Sequence, residues 1–81
     1  MVFLAITRKG YESYQALAHA VGALWVAADL LSDDELAKLR EAGVDVSDFN
    51  YTIDPQETEV IAGAVETIKE HHPGEVLWVE S

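Results

Sequence analysis

Apolar positions along the 81 residues alternate between two periods, one suited to strands and one to helices. Val2 to Ile6 is an unbroken apolar run with β-branched and aromatic members, the pattern of a strand buried on both faces. Thr7-Arg8-Lys9-Gly10 interrupts it. From Tyr11 to Val21 the residues Tyr11, Tyr14, Leu17, Ala18 and Val21 recur at helical spacing, and Gly22 follows as a stop. Leu24 to Ala28, with Trp25 and Val26, predicts a second buried strand.

Ser32-Asp33-Asp34-Glu35 has the form of a capping box, a serine followed three residues later by a glutamate. It opens a helix carrying Leu36 and Leu39 that ends at Gly43, where a residue with positive φ is at home. Phe49-Asn50-Tyr51-Thr52-Ile53 alternates apolar and polar and predicts a short strand with one buried face, near an edge. Asp54-Pro55 then predicts a helix start, with Asp54 as N-cap, Pro55 in the first turn and Glu57 closing a second box. Val60, Ile61, Ala64, Val65 and Ile68 form the apolar face of that helix, and His71-His72-Pro73-Gly74 ends it. Glu75 to Glu80, containing Val76-Leu77-Trp78-Val79, is a fourth strand.

The order is β-α-β-α-β-α-β, which predicts an α/β fold with a mainly parallel four-stranded sheet, each helix supplying a crossover. Crossovers are nearly always right-handed, and the first two strands look doubly buried. Together these predict the strand order 3-2-1-4, with the first two helices on one face and the third on the other. The alternative order is 2-1-4-3.

Length and composition narrow the setting. The chain suffices for one α/β domain, residues 1–81. It has no cysteine, which removes disulfides, thiolate metal sites and cysteine nucleophiles and fits a reduced cytoplasmic setting. The apolar start has neither a basic stretch before it nor a small-residue cleavage site after it, and no apolar run approaches a membrane span. Fifteen Asp and Glu against five Lys and Arg give a net charge of −10. Such a surface repels nucleic acid and anionic membranes and suits a basic protein partner.

Candidate chemistry is sparse. In open parallel sheets ligands bind beyond the carboxyl ends of the strands, where the strand order reverses. In the order 3-2-1-4 that crevice is lined by Thr7, Arg8, Lys9 and Gly10 on one side and Glu80 and Ser81 on the other. Two of the five basic residues lie there, just before a helix, and helix N-terminal amides with a nearby cation suit an anion such as phosphate. Neither a G-x-G-x-x-G nor a G-K-[ST] pattern accompanies them. The strand, Thr7-Arg8, turn and helix resemble the opening of the halves of uroporphyrinogen-III synthases and of flavodoxin-like segments of cobalamin-pathway proteins, over about the first 30 residues. Thr7, Arg8 and Gly10 carry the resemblance, many βα units share them, and no activity is carried over from it.

The remaining polar residues have structural readings. Adjacent helical side chains such as His71 and His72 diverge by about 100°, which disfavours a shared metal and suits helix termination. His19 lies mid-helix, and Asp33, Asp34 and Glu35 serve the second helix start, leaving Asp29 beyond the second strand. Ser13, Ser32, Ser47 and Ser81 lack a nucleophile-elbow context. Trp25 and Trp78 read as core, or as a partner surface if one sheet face is incompletely covered. No catalytic residue, metal site or cofactor is expected. The leading expectation is a non-catalytic protein-interaction module, a homodimer through a sheet edge or a pairing with another protein. The alternatives are a small anion- or nucleotide-binding domain using Thr7 to Gly10 and an acidic mimic of nucleic acid.

Overall fold

The computed structural model describes residues 1–17 and 22–81. Strands β1 (Val2–Ala5), β2 (Ala23–Val26), β3 (Asp45–Asp48) and β4 (Leu77–Glu80) alternate with helices α1 (Arg8–Ala16), α2 (Asp33–Glu41) and α3 (Thr58–His71). All three strand pairings are parallel and the order is β3-β2-β1-β4, the expected one. The first two apolar runs occupy the centre because only there are both faces of a strand covered.

Alternation along the strands sends successive side chains to opposite layers. Phe3, Ala5, Leu24, Val26 and Val46 pack with Tyr11 and Tyr14 of α1 and Leu36 of α2. Val2, Leu4 and Ala23 pack on the other face with Ala64 and Ile68 of α3. β1 is buried along its whole length. The two-and-one distribution of helices follows from the topology. Right-handed crossovers put α1 and α2 on one face while the chain moves outward from β1 to β3, and put α3 on the other when it returns to β4.

Local chemistry sets the helix ends. The Thr7 hydroxyl accepts a hydrogen bond from the Gly10 amide at 3.1 Å and opens α1. Both halves of the Ser32–Glu35 capping box form. α2 closes at Gly43, whose φ is +85°, with Gly43 N–H donating to Arg40 and Val44 N–H to Leu39, the pair of bonds that satisfies a helix's last carbonyls. Among the described residues, no helix is long and apolar enough to cross a membrane.

Two expectations shift in position. The third strand is Asp45–Asp48, not 49–53. Val46, paired with Leu24, supplies its one buried side chain, while Phe49 and Ile53 fill the α3-side core from an irregular segment. That segment still bonds to β2, Phe49 N–H to Val26 C=O at 2.9 Å and Ala28 N–H to Tyr51 C=O at 3.0 Å, without continuing the ladder. Asp54 is not the N-cap of α3. Its carboxylate accepts from the Gln56 amide at 2.9 Å and its carbonyl from Glu57, so Asp54-Pro55 forms a turn and α3 begins at Thr58. α1 is helical through Ala16, and the expected continuation over Ala18, His19 and Val21 lies outside the described residues.

Candidate functional site

Two places in this fold bear on function by position: the carboxyl ends of β1 and β4, and the outer edge of β4.

The carboxyl ends of β1 and β4 lie where the strand order reverses, and the four residues singled out for an anion follow β1 there. Thr7 spends its hydroxyl on capping α1. Arg8 reaches across to α2, its guanidinium donating to the Glu35 carboxylate at 2.9 and 3.0 Å and to the Leu30 carbonyl at 3.3 Å, over the Tyr11 ring. Glu35 also accepts from the Ser32 amide. That backbone bond first, and the Arg8 guanidinium second, hold its carboxyl below the usual glutamate range. Lys9 is exposed. Gly10 is buried against β4, and a Cβ there would lie 2.5 Å from the Glu80 carbonyl oxygen. Thr7 and Arg8 are thus already committed to neighbours.

The histidines at the end of α3 join an aromatic cluster. Trp25 Nε1–H donates to His72 Nε2 at 3.3 Å, and His72 Nδ1 bonds the Glu75 carboxylate at 2.9 Å. The His71 ring stands 5.5 Å from Trp25, which also meets Phe49 at 5.2 Å. This arrangement ties the end of α3 to β2. Asp29 adopts φ +62° in the turn after β2, a conformation that Asp tolerates better than most residues. Among the described residues, no group of three histidine or acidic side chains stands close enough to hold a metal ion. A shallow depression at the start of α3 is lined by consecutive residues, Gln56 to Val60, and gathers no distant groups.

The edge of β4 separates the two tryptophans, which the sequence treats alike. Trp25 packs against the core, but Trp78 does not. It is 46% exposed, beside Val76 at 69% and Val79 at 39%. β4 is the last strand of the sheet, and its apolar run continues to an edge that no other described element covers. The opposite edge is different: β3 shows exposed Asp45 and Asp48 on either side of one buried valine. Charges of that kind discourage strand pairing, whereas an apolar edge invites it. The signal was present in the sequence as an all-apolar run, Val76 to Val79, at the position that the order 3-2-1-4 makes terminal.

Comparison with protein families, with curated proteins and with solved structures yields no match to this chain.

Proposed function

We propose that the chain is a non-catalytic protein-interaction module whose pairing surface is the outer edge of β4. The contrast between the two sheet edges carries this reading. One edge is guarded by aspartates, and the other presents Val76, Trp78 and Val79 to solvent. Large exposed apolar residues grouped on an edge strand are what strand addition uses: main-chain hydrogen bonds supply affinity and alternate side chains supply specificity.

Affinity capture with the wild-type chain and with Val79→Pro tests the reading. The Val79 amide faces away from β1, so proline there removes a donor from the free edge and none from the β1–β4 ladder. A partner, including a tagged second copy, held by the wild type and lost from a folded Val79→Pro supports edge pairing. Equal capture by both, or by neither, removes it.

A second reading, anion or nucleotide binding at Thr7, Arg8, Lys9 and Gly10, has the reversal of strand order and the exposed Lys9 in its favour. The Arg8–Glu35 pair weighs against it, because an anion would have to compete with a carboxylate already in contact. The acidic-mimic reading needs carboxylates along one stripe. Here they are divided between α2 on one layer and α3 on the other, as well as β3.

A further inference from the structure

We propose that the occupant of the β4 edge is a second copy of this chain, paired antiparallel about a two-fold axis through Trp78. The proposal rests on the interaction reading above and narrows it to one partner and one register.

The backbone decides which groups are available. Val2 N–H donates to Val76 C=O and Ile6 N–H to Glu80 C=O, in the register that sets Val2 beside Leu77 and Leu4 beside Val79. In a parallel ladder these bonds commit Val76, Trp78 and Glu80 to β1. The outward N–H and C=O groups therefore belong to Leu77 and Val79. An antiparallel neighbour must bond to those two residues.

A two-fold axis normal to the sheet keeps each layer on its own side, so residues that face each other must project to the same face. Centring the axis on Trp78 satisfies every group. Leu77 exchanges both hydrogen bonds with Val79 of the second copy, and Val79 with Leu77 of the second copy, all within regular strand. Trp78 faces Trp78 of the second copy as a non-hydrogen-bonded pair, the closer kind, with Cα atoms about 4.5 Å apart. Aromatic cross-strand pairs are among the favourable ones. Val76, the most exposed large apolar residue among the described residues, is covered by the Glu80 stem of the other copy. The two Glu80 carboxylates stay four strand positions apart, about 13 Å. Moving the axis to Val79 would halve that separation and set Glu80 opposite Trp78.

Size and charge set the strength. Only three exposed large apolar side chains meet at this edge, Val76 and Trp78 on the α1 layer and Val79 on the α3 layer, so the pair falls below the ~1,200 Å² at the lower end of standard interfaces and forms a weak, reversible dimer. Each copy carries −10, and their mutual repulsion acts over about 30 Å at 0.01 M salt but only about 8 Å at physiological salt. Association between two copies therefore tightens as salt is added. A basic partner on the same edge would behave oppositely.

Sedimentation of the purified chain alone, from the low micromolar to the millimolar range and at low and high salt, tests the partner. The expected result is a weight-average mass rising toward twice that of one chain, with a dissociation constant several-fold lower at high salt and no association by Val79→Pro. A monomer at every concentration and salt overturns the dimer. If Val79→Pro still abolishes capture of a different protein, the interaction reading stands without it. The register is read by oxidising Leu77→Cys, Trp78→Cys and Val79→Cys, one at a time in a chain with no other cysteine. Each position faces itself in only one register. Fastest disulfide dimer formation by Trp78→Cys supports the axis proposed. Fastest formation at residue 77 or 79 overturns it.

Discussion

Gly10 shows how one residue carries two demands. Thr7 holds its amide to start α1, and the absence of a side chain lets that helix rest on the end of β4. Substitution by alanine sets two effects against each other. Alanine is the better helix former by up to about 1 kcal/mol. Its Cβ, however, would stand 2.5 Å from a backbone carbonyl that is itself bonded to Ile6, so the contact cannot be relieved by turning a flexible side chain. Overpacking of this kind costs roughly 1–3 kcal/mol. Gly10→Ala should therefore lower the stability measured by urea denaturation, by up to about 2 kcal/mol if the full helical gain of about 1 kcal/mol is realised. A variant as stable as the wild type would show that α1 and β4 do not meet this closely. From the sequence alone Gly10 reads as a turn residue, because its contact partner is seventy residues away. Trp78 is legible only as an alternative: an apolar residue in a strand reads as core, or as a partner surface where the covering layer ends before it, and the sequence alone does not say where that layer ends.

At the scale of elements, strand order, helix layers and the α2 capping box were legible. Each follows from local chemistry or from handedness. The third strand and the start of α3 were not. Phe49, Tyr51 and Ile53 alternate like a strand, yet Phe49 and Ile53 are apolar to fill the α3-side core, and the strand itself is Asp45–Asp48 with a single buried side chain. Parallel pairing with β2 makes that polar segment a strand, and pairing leaves no trace in a short sequence pattern. Asp54 misled because an aspartate before proline serves a turn as readily as a cap. α2 gives the pH prediction. Glu35 joins its N-cap to Arg8 of α1, and its carboxyl is held below its ordinary 4.5 by the Ser32 amide first and Arg8 second. A group whose pKa is lowered by folding stabilises the fold above its ordinary value and loses that contribution as pH falls through the lowered one. Wild-type melting temperature should thus fall on acidification through the range below 4.5, and Glu35→Gln should fall less steeply there. Identical slopes for the two would mean that the Arg8–Glu35–Ser32 link does not persist in solution.

For the whole molecule the deciding asymmetry is between the two ends of the sheet. The order β3-β2-β1-β4 buries the most apolar run at the centre and leaves a polar strand at one end and an apolar strand at the other. The net charge of −10 opposes close approach of two copies everywhere except where the surface is uncharged and salt screens the rest. Val76, Trp78 and Val79 make that place. The candidate anion residues, at the carboxyl end of the same strand pair, are instead tied into the joint between α1, α2 and β4.

Residue-resolved amide hydrogen exchange across a concentration series addresses the free edge directly. The amides of Trp78 and Glu80 face β1 and should exchange slowly at every concentration. Those of Leu77 and Val79 face outward, and should exchange fast in dilute solution and become protected as the chain is concentrated toward millimolar. Fast exchange at Leu77 and Val79 that does not change over the whole series would contradict pairing between copies at this edge.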